Sequence, residues 1–222
     1  MRYFLIFFIL VLFANCFSVP KEYLVNDDVC YYNDPIFNIT KEELILNSKT
    51  LKQLQNKEDD LILIDDGKFK NRYYKFSDGE ITNKQTNKQL NIGKWIRYRK
   101  NGTIKRVRFI YLNGTRDIKE EIHYDNQGNI TKVIDYEKGY NICWAEAIAI
   151  VKKIAKKDIE KYEVTGFNLS HNNLNEFPNV KPEWQVTLDG NEEYKLKDVK
   201  VYRIDGVTGK FLRTTKITTS YD

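Results

Sequence analysis

Two histidines, His123 and His171, and three cysteines, Cys16, Cys30 and Cys143, are the whole supply of imidazole and thiol in these 222 residues. None stands at metal-ligand spacing: there is no His-Glu-x-x-His and no paired Cys-x-x-Cys. No Gly-x-Ser-x-Gly elbow offers a nucleophile. Gly209-Lys210 runs into Phe211 and lacks the upstream glycines of a phosphate loop. Asp189 and Asn191 begin a calcium-loop spacing, but Tyr194 stands where such a loop needs glycine. The residues single out no catalytic group, no metal site and no cofactor, so the chain reads as a non-enzyme. The densest chemistry is cationic. Arg97, Arg99, Lys100, Lys105, Arg106 and Arg108 fall within twelve residues around Asn101-Gly102. Two readings stand for them. One is a patch for an acidic partner, nucleic acid or anionic lipid; the other is the solvated face of a sheet.

The cysteines are tied to where the protein goes. Arg2, an unbroken apolar run over residues 3–13 and the compact residues Ala14, Asn15, Cys16 and Ser18 form the three parts of a secretory signal. The run is too short to span a bilayer, and no later segment is long or apolar enough. Cleavage after Ser18 removes Cys16; the other reading makes Cys16 the lipidated residue of an outer-membrane lipoprotein. The expected location is periplasmic or extracellular. In that oxidising setting Cys30 and Cys143 either pair or remain two thiols, one buried beside Trp144. A bond closing so long a loop would contribute about 4 kcal/mol in the chain-entropy model.

The elements that carry these groups follow from composition and period. Aromatic residues make up 14% of the chain and charged residues 30%, with 36 Lys and Arg against 31 Asp and Glu, a net charge of +5. Fifteen Tyr and twelve Phe rule out a disordered chain, and four Pro with eleven Gly rule out a collagenous one. Residues 19–66 are mixed, with Thr40 and Glu43 forming a capping box for a helix that carries Leu44, Leu51 and Leu54 on one side. Leu61 to Ile64 reads as a strand before Asp65-Asp66-Gly67. Over residues 67–139 a pattern repeats: Trp95 and Tyr98 before Gly102, Tyr111 before Gly114, Tyr124 before Gly128, then Tyr136 before Gly139. The tyrosines are 13, 13 and 12 residues apart. Asn-Gly marks tight hairpins, and Val107, Phe109 and Tyr111 alternate with Arg106, Arg108 and Ile110. The region reads as an antiparallel meander gaining one strand per unit. From residue 142 the period becomes helical through 157. Strands are then expected at 162–164, 183–188, 199–204 and 210–218, with Leu169-Ser170-His171 in a loop. The fold class is α+β.

Gly-x-Trp-x-x-Tyr-x-x-Asn-Gly at 93–102, followed by Tyr-x-Asn-Gly at 111–114, resembles the MORN-variant repeats of YwqK-like proteins, a family labelled antitoxins. The C-terminal part, 140–222, resembles a PepSY-like domain. Its carriers are Ala-Glu-Ala-Ile-Ala at 145–149, Trp184-x-Val186, and the run Tyr202-Arg203-Ile204-Asp205-Gly206-Val207-Thr208-Gly209-Lys210. That resemblance implies a helix on an antiparallel sheet and a partner contact through Trp184, Tyr202, Asp205, Thr208 and Lys210. Together the two imply a protein or envelope partner, reached through Arg97, Arg99, Lys100, Arg106 and Arg108 or through the last hairpin. Nucleic acid is disfavoured by export. The expected function is an exported, non-enzymatic binding protein; the alternatives are toxin neutralisation and inhibition or modulation of a peptidase.

Overall fold

The computed structural model of the chain describes residues 30–55 and 61–217. The signal, Cys16 and the segment up to residue 29 lie outside the described residues. Eleven strands form two antiparallel sheets. The first is a seven-stranded meander in chain order: β1 (Leu61–Asp65), β2 (Phe69–Lys75), β3 (Ile81–Asn87), β4 (Ile92–Tyr98), β5 (Ile104–Tyr111), β6 (Arg116–Tyr124) and β7 (Ile130–Asp135). The second, in the order β11-β10-β9-β8, holds β8 (Gly166–His171), β9 (Glu183–Asp189), β10 (Lys200–Asp205) and β11 (Phe211–Lys216). Helices α1 (Ser48–Gln55), α2 (Trp144–Ile154) and α3 (Lys156–Lys161) complete the core elements. The chain is α+β, and the meander begins at Leu61, one strand before the pattern visible from residue 67.

Each turn of the meander is set by local chemistry. Asp66, Asp78, Asn87, Asn101, Asp125 and Asp135 accept backbone N–H groups two or three residues ahead, closing Asx turns. A left-handed residue follows in each of these six turns, Gly67, Gly79, Asn91, Gly102, Gly128 and Gly139, and the β5–β6 turn has its own at Gly114. Because every strand is antiparallel to the last, the turns alternate between two ends of the sheet. Those at Gly67, Asn91, Gly114 and Gly139 share one end; those at Gly79, Gly102 and Gly128 share the other.

One face of the meander is buried. Ile81, Ile92, Ile96, Tyr98, Ile104, Val107, Phe109, Tyr111, Ile118 and Tyr124 point to it. The three repeat tyrosines of β4, β5 and β6 are therefore core residues, whereas Tyr136 lies past β7 and reaches the opposite face, donating to Glu121 at 3.0 Å. Residues 30–55 are the cover. Ile36, Phe37, Leu46 and Leu54 pack on the face, and Leu46 and Ile104 exchange backbone bonds with Gly102 and Leu44. The capping box at Thr40 and Glu43 is real, but it opens only a 3-10 turn, Lys41–Glu43. The helix expected there begins later, at Ser48, because residues 44–46 are drawn into a bridge with Thr103.

Glu43 has a second duty. Lys94 lies on the buried face, 2% exposed. Its ammonium donates to Glu43 Oε1 at 2.6 Å and to the Asn38 carbonyl at 2.8 Å, and Gln85 Nε2 donates to the same Oε1 at 2.7 Å. A charge can be buried only when it is paired and its remaining hydrogen-bond sites are filled. The cover supplies both.

The second sheet carries α2 on one face, packed through Trp144, Ala147, Ile148 and Val151 against Leu169, Val186 and Leu188. The helical run expected through 157 breaks at Ala155, and α3 restarts after it. The strand expected at 162–164 is the turn after α3. Leu169-Ser170-His171 is not a loop but the end of β8, paired with Val186, Gln185 and Trp184. The two sheets share one continuous buried cluster. They meet where Leu169 N–H donates to the Asn113 carbonyl at 3.3 Å. A Cβ on Gly114 would stand 2.8 Å from the Leu169 carbonyl oxygen.

Two outcomes follow. Gly114 and Gly128 have nearly equal φ, +89° and +87°, but nothing lies within 4 Å of a Cβ at Gly128. Gly128→Ala is expected to cost about 1 kcal/mol of left-handed strain. Gly114→Ala costs at least about 2 kcal/mol more, since the sheets must part; urea unfolding of both variants measures the difference. Lys94→Met is expected to lose about 3–5 kcal/mol by stranding Glu43, and Lys94→Met with Glu43→Leu to recover most of it.

Candidate functional site: the groove between the two sheets

The contact at Gly114 leaves a groove of about 520 Å³ beside it. Three elements build most of it, with Tyr31, Tyr111 and Asn113 added from the cover and from β5 and its turn. The β3–β4 turn contributes Lys88, Gln89, Leu90 and Asn91. Its shape is held by Asn87, whose side chain accepts from Gln89 and Leu90 N–H, and by a bond from Leu112 N–H to the Asn91 carbonyl at 2.9 Å. Helix α2 contributes Trp144, Ala145, Ile148, Ala149 and Lys152. These sit at one helical face, adjoining the face that enters the core. The start of β8 contributes Thr165, Gly166 and Phe167.

The back of the groove is aromatic. Tyr111 and Trp144 have ring centroids 5.4 Å apart, and Tyr31 lies 6.3 Å from Trp144. At the rim the Lys152 ammonium sits 5.3 Å from the Phe167 ring, and Lys88 pairs with Asp65 at 2.5 Å. Amides of Gln89, Asn91 and Asn113 complete the lining, which among the described residues contains no carboxylate, imidazole or thiol. Such a surface holds a ligand through carbon faces, amides and ammonium groups.

The wall at Tyr31 is anchored from the side. Cys30 and Cys143 form a disulfide, tying the cover to the start of α2 with a Cα separation of 6.0 Å. Cys143 N–H donates to Glu146 Oε2 at 2.9 Å. Glu146 is fully buried, its other oxygen has no partner, and burial pushes its carboxyl above the ordinary range. Cys30, Cys143 and Glu146 bring three potential ligand atoms within 4.8 Å of one another, but sulfurs bonded to each other are not thiolate ligands. A second anchor joins the Tyr32 hydroxyl to Glu137 Oε2, while Glu137 Oε1 accepts from Lys119 N–H at 3.1 Å. Desolvation pushes Glu137 up to about 7, against the pull of the Tyr32 and Lys119 bonds and with a further push from Asp135.

The residues expected to bind a partner lie elsewhere. The cations around Asn101-Gly102 sit at the opposite end of the meander, and strand neighbours neutralise most of them. Arg97 pairs with Glu80 at 2.7 Å and covers the Phe76 ring. Arg106 meets Glu121 at 3.3 Å. Arg108 grips Asp117 with two bonds of 2.8 and 2.7 Å. Lys105 pairs with Glu80. Arg99 donates to the carbonyls of Ile104, Tyr124 and Asp125 and so staples two turns together. Lys100 lies exposed along Gly79. Trp95 is half-buried on the same outer face, under the Lys84 ammonium at 4.1 Å. The solvated-face reading fits this arrangement; a cationic patch open to an acidic partner does not.

On β9, Trp184 is wholly buried and donates its indole N–H to the Ile142 carbonyl at 2.7 Å. Tyr202 is also buried, its hydroxyl on Asp158. Trp184 cannot touch a partner, and Tyr202 shows only an edge, in the floor of a groove beside β11. Asp205 Oδ1 accepts from Val207 and Thr208 N–H, and Thr208 Oγ1 accepts from Lys210 N–H, so these two side chains shape the turn itself. Lys210 remains at the surface. His171 stacks against Trp184 and Tyr140 and bonds the Asp117 carbonyl at 2.8 Å, while His123 sits beside Glu121 at 2.7 Å.

The groove escaped sequence reasoning because its residues come from five separated segments. The one local signal was the stripe Ala145, Ile148, Ala149 and Lys152, whose small members leave room on a helix face. Among the described residues no helix is long and apolar enough to cross a membrane. Compared with protein-family models, with curated proteins and with solved structures, the chain matches none.

Glu137 gives a pH dependence. Its folded value of about 7 stands above the ordinary 4.5, so the fold favours the protonated form. The contribution is fully present below pH 4.5 and is lost as pH rises through about 7. Wild-type stability is therefore expected to fall across this window relative to Glu137→Gln, which lacks the titration. Urea midpoints of both proteins at a series of pH values measure it; parallel curves would rule the effect out.

Proposed function

We propose that this chain is an exported, non-enzymatic binding protein that receives its ligand or partner in the groove between the two sheets. One observation carries the reading. Both sheets, α2 and the cover converge on a single concavity of about 520 Å³ with an aromatic back and an amide and ammonium rim. That volume is in the range of small-ligand sites, and it also accepts a side chain or loop of a protein. Export is supported by the N-terminal signal pattern and by the disulfide between Cys30 and Cys143.

A second reading has its own support. The run of seven meander strands, with left-handed turns every 11 to 14 residues, favours the YwqK-like resemblance and with it toxin neutralisation. For the PepSY-like reading the support is the helix layered on four antiparallel strands. A peptidase contact in that reading would use the turn at 205–210 without Trp184.

The test is a crosslink. A photoreactive residue at Gln89, inside the groove, is expected to capture one specific envelope or protein partner. The same residue at Lys132, exposed on β7, captures none. Ala149→Trp fills the groove and should abolish capture while leaving the melting temperature within a few degrees. Equal capture from both positions, or capture unaffected by Ala149→Trp, would reject the groove. An intrinsic hydrolytic activity would reject the non-enzymatic reading.

A further inference from the structure

The second sheet has two edges, and they are treated differently. The edge at β8 is blocked by the meander: Asn113 takes the Leu169 N–H, and the Asp117 carbonyl meets the His171 ring. The edge at β11 pairs with β10 alone among the described residues. Such an edge is a ready template for another strand, and soluble proteins usually blunt it. Here a bulge interrupts its start, between Phe211 and Arg213, and regular pairing then runs from Arg213 to Lys216. Phe211, Leu212, Arg213, Thr214 and Lys216 are all exposed. Ile217 N–H turns inward to the Val199 carbonyl at 2.9 Å. By the alternation of a strand, the amides of Lys216 and Thr214 turn outward.

A groove of about 480 Å³ runs beside this edge, between the end of α2 and the sheet. Ile154, Tyr202, Phe211, Thr214 and Lys216 line it, together with the pair of Asp158 and Lys200. Ile154 and Phe211 are large apolar residues left 44% and 39% exposed at its mouth. An edge strand flanked by a helix and an apolar groove is the arrangement by which sheets take up extended peptides.

Charge decides the occupant. From Gly206 to Ile217 the chain holds Lys210, Arg213 and Lys216 and no acid. Among the described residues that line the groove the one carboxylate, Asp158, is taken by Lys200 at 2.7 Å and by the Tyr202 hydroxyl. A second copy of β11 would set these cations against themselves, which disfavours self-pairing. We propose that β11 and the groove beside it are a docking edge for an extended acidic segment of a partner protein, added to the sheet as a fifth strand. The edge lies three strands from β8, so this site stands apart from the groove between the sheets and does not depend on it.

The probe is a short acetylated peptide of alternating Glu and Val; in either register its acids face Lys216 or Arg213. It is added to the full chain and followed by fluorescence anisotropy. Binding is expected, weakening about tenfold when the salt is raised to about 1 M, with no binding of the matching Lys and Val peptide. Thr214→Pro removes an outward N–H without touching the ladder to β10, so it keeps the fold and should lose binding about tenfold or more. Lys216→Glu, a surface change, should weaken binding likewise. In hydrogen exchange the Thr214 and Lys216 amides should be fast in the chain alone and slow with peptide. Equal binding of the Lys peptide, or binding untouched by both variants, overturns the proposal. So do amides already slow in the chain alone, which would mean that its own N-terminal segment or a second copy covers the edge.

Discussion

An ammonium group held almost out of water obliges the rest of the chain to come to it. Lys94 projects from β4 into a face otherwise made of Ile92, Ile96 and Tyr98, where an unpaired charge would cost several kcal/mol. Glu43, Gln85 and the Asn38 carbonyl answer it. Two of these belong to residues 30–55, so the segment that covers the meander is specified by charge as well as by fit. Apolar packing of Ile36, Phe37, Leu46 and Leu54 would tolerate a slide along the sheet; a buried ion pair does not. The disulfide and the Tyr32 hydroxyl on Glu137 then pin the other end of the cover. With the cover fixed at both ends, Tyr31 becomes a stable wall for the groove.

A separate contact joins the two sheets in one continuous core. The meander presents one end to the second sheet, and there a glycine turn lies against the backbone of β8 with no room for a side chain. Helix α2 is shared: one side enters the common core through Ala147 and Val151, and the adjoining side, built of Ala145 and Ala149, stays open to the groove. Small residues on that side are what makes a concavity where two sheets would otherwise close.

What the sequence made legible was local. The turns could be read because Asx side chains and left-handed glycines act within three residues, and the strands of the meander because alternation is a property of neighbours. What stayed hidden was non-local. The arginines at 97, 106 and 108 looked like a cationic patch since their acids, Glu80, Asp117 and Glu121, sit on adjacent strands and not adjacent in sequence. Trp184 and Tyr202 looked like contact residues because a motif reports which residues recur, not which way they face. The capping box at Thr40 was visible, but the bridge at Thr103 that shortens its helix was not. β8 was expected as a loop at Leu169-Ser170-His171 because what makes it a strand is its pairing with β9, more than a dozen residues on. The groove, drawn from five separated segments, left almost no trace in the linear chain.

The alternation of turns between two ends sets a rule of parity. Counting along the end that meets the second sheet, the left-handed residues are Gly67, Asn91, Gly114 and Gly139. They are 24, 23 and 25 residues apart, each interval holding two strands. Gain or loss of one strand would deliver the chain to the wrong end after β7. The helix that follows would then start on the far side of the sheet, away from β8 and from its disulfide partner. Only whole hairpins can be inserted or deleted without separating the two halves. The natural increment of this architecture is therefore about twice the interval that its tyrosines mark.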